Sequence, residues 1–501
     1  MSLMTVSNNN TKSIDSMKKI ILFVVVLLAA FSLNAQDFES FIKGQKKKMQ
    51  QYADSVQQDY YQFRQKANEE YAQFMRERWE EFQSMKGEPM PEIPEPPRPY
   101  ERERDVPIPE LPIKYKKVIT VPTPNPDVPL KRPDSPTIPT TPSVPEFHFT
   151  CYGTSCSVHL DNNLKFKLKD SSENTVADAW EHLSSETMEV LLEDCLGLRD
   201  ELALGDWAYY CLLRDLTESY LGKNTNEAVL LQTYLMAQSG YKLRIARKDD
   251  QLVLMLPFDG TVYEMTYIQI DGDSFYVIDK NKDGGYYVFN HSFTDNDRTV
   301  SLRMDRTPKF AFKSGGERTF TSKRYPELSV AMTSNKNLMD FYDAYPKCLW
   351  PNYSWAGLSD EVKAKLYPVL RKGIEGKSQI EAANRLINFV QTAFEYKTDD
   401  QQFGYERSLF ADETFYFPYS DCEDRSILFS VLVHDLLGLD VVLLLYPEHL
   451  ATAVHYTEYL DGTYFIMDGK TYYISDPTYI GANVGECMPR YAKTNPEVYK
   501  L

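Results

Sequence analysis

The chain has 501 residues, 55 basic against 72 acidic, for a net charge of −17, and no stretch gathers basic residues in the way nucleic-acid binding requires. Its 35 Tyr and 26 Phe suit packed, half-buried strands rather than disorder. Seven cysteines cannot all pair within one chain, and no C-x-x-C pair occurs, so no structural zinc centre or other metal is expected; Cys151 and Cys156 are close enough to close a small loop in an oxidising compartment.

Residues 1–35 read as a Sec signal peptide. Met17-Lys18-Lys19 precede an apolar run from Ile20 to Leu33, and Asn34-Ala35-Gln36 offers cleavage after Ala35. The run is short for a membrane span, and no cysteine follows it for a lipid anchor. Export to a periplasm or cell envelope is the expectation. Residues 36–87 form a long amphipathic helix with an 11-residue repeat: Phe38, Met49, Tyr60, Tyr71 and Phe82 make one row, Phe41, Tyr52, Phe63 and Phe74 another. Eleven residues in three turns keep such a stripe nearly straight. It serves either to pack on this protein or a partner, or to self-associate or meet the envelope surface. Residues 88–146 are proline-rich, which disfavours helix and sheet and favours an extended spacer; Val118 to Val121 is the one strand-like piece.

Globular sequence follows as an α+β domain, residues 147–330. Helical patterns cover 176–194, 206–221 and 225–239, the last closed by Gly240, and strand patterns cover 242–245, 252–256, 262–269 and 274–278. Thr299–Met304 and Pro308–Phe312 read as further strands. The order helix, glycine, strands recurs near the C-terminus, where Gly438 takes the place of Gly240. With the glycines in register, Asn224 falls opposite Cys422. The first domain is therefore a candidate degenerate copy of the second, without its chemistry.

Residues 331–501 carry the chemistry. A helix from Ser378 to Phe394 opens with Ser378 and Glu381 as a capping box. Ser420-Asp421-Cys422-Glu423-Asp424-Arg425-Ser426 precede a long apolar helix ended by Gly438. Ser420 and Glu423 read as a second capping box, placing Cys422 at the second helical position, where free amides and the helix dipole favour a thiolate. The flanking Asp421, Glu423 and Asp424 oppose ionisation, so a basic partner is needed. His449 opens a strand two segments later, and Asp476 ends another. His434 lies roughly 18 Å along the helix from Cys422, and His455 about 20 Å along the strand from His449, so neither serves. A meandering sheet would carry Asp476 away from His449 and bring Asp468 closer; the triad needs the Asp476 strand to pair with the His449 strand. Gln391, Gln401 and Gln402 are candidate oxyanion donors beside the Cys422 amide, and Cys487 reads as structural.

These motifs, Asp421-Cys422-Glu423-Asp424-Arg425-Ser426, His449-Leu450-Ala451-Thr452-Ala453-Val454 and Asp476-Pro477-Thr478, resemble the transglutaminase-like superfamily, and Tyr396-Lys397-Thr398-Asp399 with Phe403-Gly404 is similar to its bacterial cysteine-protease branch. The resemblance covers about the last 120 residues. It implies a papain-type α+β domain with a nucleophile helix on an antiparallel sheet, Cys422 as nucleophile, His449 as base and Asp476 as orienting acid. It also implies a peptide or protein substrate and no cofactor. Many members carry an aromatic residue where Ala451 stands, which leaves acceptor and substrate open. The other reading is a binding or scaffold protein of the envelope that kept the fold and lost the activity.

Overall fold

Alternating strands and capped helices build an α+β chain whose sheets are mostly antiparallel. The computed structural model describes residues 35–77, 79–91, 93, 98–103, 112–122, 144–278, 283–294 and 296–501. The proposed signal peptide lies outside them. The chain divides into residues 1–66 with 132–141, and residues 67–131 with 142–501. In the first unit the described chain is helical throughout, and Met49, Tyr52 and Phe63 of the aromatic stripe are exposed. Among the described residues, no helix is long and apolar enough to cross a membrane.

That helix, Ala35–Met75, is shorter than the repeat implies. Its last turns belong to the second unit, where Tyr71 is buried against Trp180, Phe289 and Phe293, with ring centroids 4.9–5.2 Å away. Asn68 Oδ1 accepts from Trp180 Nε1 and Gln238 Nε2. Phe82, the next residue of the stripe, instead sits in a strand, β1 (Glu80–Gln83). The indole of Trp79 donates to the Met75 carbonyl and turns the chain out of the helix.

The proline-rich segment yields β2 (Val118–Ile119). Then come a hairpin of β3 (Glu146–Cys151) and β4 (Thr154–His159), turned by Tyr152 and Gly153 at positive φ, and four helices, Glu173–Leu183, Glu186–Glu201, Asp206–Leu221 and Asn226–Gln238. The pattern over 176–194 thus falls in two helices. β5 (Arg244–Lys248), β6 (Gln251–Leu256), β7 (Tyr267–Ile270), β8 (Asp273–Val277) and β9 (Gly285–Phe289) follow. Thr299–Met304 and Pro308–Phe312 are not strands. Val300 makes one isolated parallel bridge with Phe258; beyond it Asp206 Oδ2 accepts from Ser301 N and Asp259 Oδ1 from Leu302 N, so the bridge does not extend into a ladder. The pair β10 (Ser314–Thr321) and β11 (Ser329–Asn335) leads to helices Lys336–Asp343, Trp350–Trp355, Asp360–Ile374 and Gln379–Ala393. Short β12 (Glu395–Tyr396) and β13 (Tyr419–Ser420) pair in parallel ahead of the helix Cys422–Leu437. β14 (Val441–Tyr446), β15 (His449–Val454), β16 (Tyr464–Met467), β17 (Lys470–Ser475) and β18 (Glu497–Lys500) complete the chain.

The two large sheets are wound alike. The first runs β7-β8-β6-β5-β9-β1 and the second β16-β17-β15-β14-β18-β2. The first five strands of each are joined by antiparallel pairs, and only the outermost differs: β1 is antiparallel to β9, β2 parallel to β18. Lys248 pairs with Gln251 across one hairpin as Tyr446 pairs with His449 across the other. The strand orders of the two sheets match, and one expected alignment position is corrected. Asn224 lies outside its helix, at φ 59°; Thr225 caps that helix by accepting from Ala228 N, so Asn226 is its first residue.

The proline-rich stretch is docked chain where it is described, not free spacer. Ile113 N donates to Tyr464 O, Lys116 N to Pro496 O, and Tyr115 meets Phe465 edge-on at 5.7 Å. Tyr100, Ile113 and Tyr115 close the outer face of the second sheet over Phe465, Tyr479 and Tyr491.

Candidate active site

Cys422 is the first residue of its helix, one place earlier than the sequence pattern implies. Asp421, not Ser420, is the cap, with Asp421 N donating to Asp424 Oδ2 at 3.3 Å. The Ser420 hydroxyl is used otherwise, as acceptor for Arg425 Nε at 3.2 Å. Arg425 is itself buried, its other nitrogens donating to the carbonyls of Gln391 and Phe394. That single side chain ties the nucleophile helix to the end of the helix Gln379–Ala393.

The sheet meets the helix start at one residue. β17 pairs with β15 only from Thr452 onward, which leaves the first residues of β15 open on that edge. The helix fills the gap: Leu450 N donates to Cys422 Sγ at 3.1 Å, and Ser426 Oγ donates to Leu450 O at 3.0 Å. Cys422 and Ser426 stand one turn apart on the same helix face, so they clasp both backbone groups of one residue. That residue directly follows His449.

His449 Nε2 lies 2.8 Å from Asp476 Oδ2, and Thr478 N donates to Asp476 Oδ1 at 2.8 Å. The geometric condition on Asp476 is met: β17 pairs with β15, and β16 is displaced to the outer edge. Asp468 is instead ion-paired with Lys500. His434 is exposed, and His455 Nδ1 faces the Thr471 carbonyl. Asp476 thus takes the Nε2 side of the imidazole. Tyr491 lies flat on the imidazole, centroids 5.4 Å apart and planes within 4°. The Cys422 thiol donates to Glu423 Oε2 at 3.3 Å. Cys422 is 0% exposed, His449 2% and Asp476 3%.

The glutamines divide. Gln391 is buried, and its Nε2 donates to the carbonyls of Asp476, Tyr479 and Ala482 while its Oε1 accepts from Gly481 N. It positions the loop that carries Asp476 and is not an oxyanion donor. Gln402 bonds the backbone of Tyr419 in both directions, and Gln401 is exposed. The Cys422 amide is the remaining candidate, at the helix start. Cys487 is buried, its thiol pushed up to about 12 by burial and then by Asp476, as suits a structural residue. All seven cysteines are free thiols; Cys151 faces Thr154 across the hairpin and Cys156 faces Phe149, so the small loop is not closed.

Sequence reasoning missed one cluster. Asp399, Asp421 and Glu423 are buried, with carboxylate oxygens within 4.8 Å of one another. They border a cavity of about 820 Å³ also lined by Pro89, Met90, Ile93 and Tyr405. Burial, then the Asp424 carboxylate, pushes Asp399 up to about 9. Hard oxygen ligands at this spacing suit a divalent cation such as calcium, which would replace the proton Asp399 holds. The signal available in sequence was the Asp421-x-Glu423 pair flanking the thiol; the third ligand opens a short helix, Asp399–Gln402, 22 residues upstream of Asp421.

Asn226 Oδ1 accepts from Leu252 N at 2.9 Å, as Cys422 Sγ accepts from Leu450 N, and Gln251 stands where His449 does. Comparison of the chain with known protein families, with curated proteins and with solved structures finds no match.

Proposed function

We propose that this chain is an exported cysteine acyl-transfer enzyme of transglutaminase-like, papain-type architecture, acting on amide bonds of peptides or proteins. Cys422 attacks the carbonyl and His449 Nδ1 takes the thiol proton. Asp476 holds the ring and its charge, and the acyl group rests on sulfur as a thioester until water releases it. The proton on His449 passes to the leaving amine. The Cys422 amide receives the developing oxyanion. Hydrolysis is the favoured outcome, because no site for a neutral acceptor amine is legible.

One observation carries this reading. The sulfur is bonded to the amide next to His449 while His449 is bonded to Asp476, so three residues far apart in sequence share one small volume. The test is an electrophilic thiol probe on the wild type and on Cys422→Ser. Labelling of Cys422 that disappears in the variant supports it; labelling that persists in the variant refutes it. The scaffold reading draws on a different observation, the near-complete burial of all three side chains. It predicts no turnover of any peptide or cell-wall substrate even when Cys422 is made accessible.

A further inference from the structure

Attack by Cys422 on a carbonyl places negative charge on the oxygen, and a working site meets that charge with preorganised donors. The helix start offers one amide, while Gln391 and Gln402 are engaged elsewhere and Gln401 is exposed. A buried donor beside the triad is the hydroxyl of Tyr491.

The ring of Tyr491 is fixed on several sides. It lies on the His449 imidazole with planes within 4° and centroids 5.4 Å apart. Tyr446, the cross-strand partner of His449, stacks on it at 4.7 Å. The Arg490 guanidinium lies 4.9 Å from its centroid and is itself ion-paired with Glu448. Tyr491 N donates to Met488 O at 2.9 Å, which closes the turn that carries the ring. A side chain so placed has little freedom left to lose when it binds.

Its hydroxyl, by contrast, is unused. Tyr491 is buried, and its phenol oxygen has no hydrogen-bond partner among the described residues. Buried hydroxyls nearly always find one, so an orphan carries a desolvation cost with no return and calls for a role. Tyr446 beside it has a similarly buried phenol, but the two feel different sulfurs. Burial, then Cys487, raises Tyr446 well above the ordinary phenol value. Burial raises Tyr491 as well; Arg490 opposes the rise, and the Cys422 sulfur adds to it. The Tyr491 phenol therefore keeps its proton at neutral pH and lies within electrostatic reach of the nucleophile.

We propose that Tyr491 is a catalytic residue whose hydroxyl, together with the Cys422 amide, binds the oxyanion formed during acylation. The assignment rests on the acyl-transfer reading above. As the sulfur–carbon bond forms, the carbonyl π pair moves onto oxygen, and the Tyr491 O–H donates a hydrogen bond to that oxygen without giving up its proton. When the tetrahedral intermediate collapses, the carbonyl re-forms, the carbon–nitrogen bond breaks, and the amine leaves with the proton held by His449.

The experiment compares two reagents on the full chain. p-Nitrophenyl acetate acylates a thiolate through a tetrahedral oxyanion; iodoacetamide alkylates the same thiolate by displacement at a saturated carbon and forms none. Both are read at Cys422 by peptide mass spectrometry. Tyr491→Phe keeps the ring and its stacking and removes only the oxygen. The expected result is acetylation of Cys422 slowed by about 10²–10³, with alkylation within about twofold of the wild type. Tyr446→Phe, which removes a buried hydroxyl of the same kind, should leave both rates within that margin. Equal acetylation of Tyr491→Phe and the wild type overturns the assignment. So does an equal slowing of both reagents, which marks a ring that only steadies His449, and so does a Tyr446→Phe variant acetylated as slowly as Tyr491→Phe. A wild-type Cys422 that p-nitrophenyl acetate never acetylates overturns the acyl-transfer reading itself, and the oxyanion role with it.

Discussion

Replacing Gln391 with alanine tests the architecture of the site without touching its chemistry. The side chain is 2% exposed and makes four backbone hydrogen bonds, at 3.3, 2.8 and 3.1 Å to the carbonyls of Asp476, Tyr479 and Ala482 and at 3.2 Å from Gly481 N. Nε2 has two hydrogens to share among its three carbonyls, so with the Oε1 bond the loss amounts to about 3 kcal/mol at about 1 kcal/mol net each. Water entering the vacated space restores some of this, so the expected destabilisation is about 2–3 kcal/mol. Chemical denaturation followed by tyrosine and tryptophan fluorescence measures it. The loop also loses its anchor under Asp476, so alkylation of Cys422 should quicken. Gln391→Glu keeps one acceptor, loses the donors and sets a charge against three carbonyls, so it should be at least as damaging. A loss below about 1 kcal/mol with unaltered Cys422 alkylation would refute the idea that Gln391 holds this loop.

Asp476→Asn should slow acylation of Cys422 by about 10²–10⁴, because the ring loses the charge and tautomer control that the carboxylate supplies, with little change in melting temperature; a fall of less than threefold in probe labelling would argue that His449 is not the base. Arg425→Lys should cost about 3–5 kcal/mol in denaturant stability, since an ammonium cannot span Ser420, Gln391 and Phe394 together and leaves buried carbonyls unmatched. Asp399 titrates above its unfolded value, so the folded chain keeps a proton that the unfolded chain has released, and stability falls as pH rises from about 4 to about 9. Asp399→Asn should therefore match the wild type near pH 4 and melt at a higher temperature at pH 8. If the three carboxylates take calcium, millimolar calcium should raise the wild-type melting temperature at pH 8 by more than that of the variant, and chelation should reverse it.

The sequence by itself determined the local elements of the site: the helix that Gly438 closes, the strand that His449 opens and the turn after Asp476. Caps, glycines and strand alternation act over a few residues, so their signals survive without a fold. The helix at Cys422 starts one residue later than the Ser420 cap pattern implies, because Ser420 is drawn away by Arg425, a partner on the same helix whose own fixing depends on a different helix. The repeat of helix, glycine and strands was also legible, and the shared strand order of the two sheets bears on it more strongly than any residue pattern could. Only the tertiary structure decided what met what. The pairing of β15 with β17 past β16, the Leu450 amide on the Cys422 sulfur, the third carboxylate at Asp399 and the contact of Tyr100 with Arg490 all join residues separated by tens to hundreds of positions. Such contacts are selected by burial and register over the whole chain, and no local propensity encodes them.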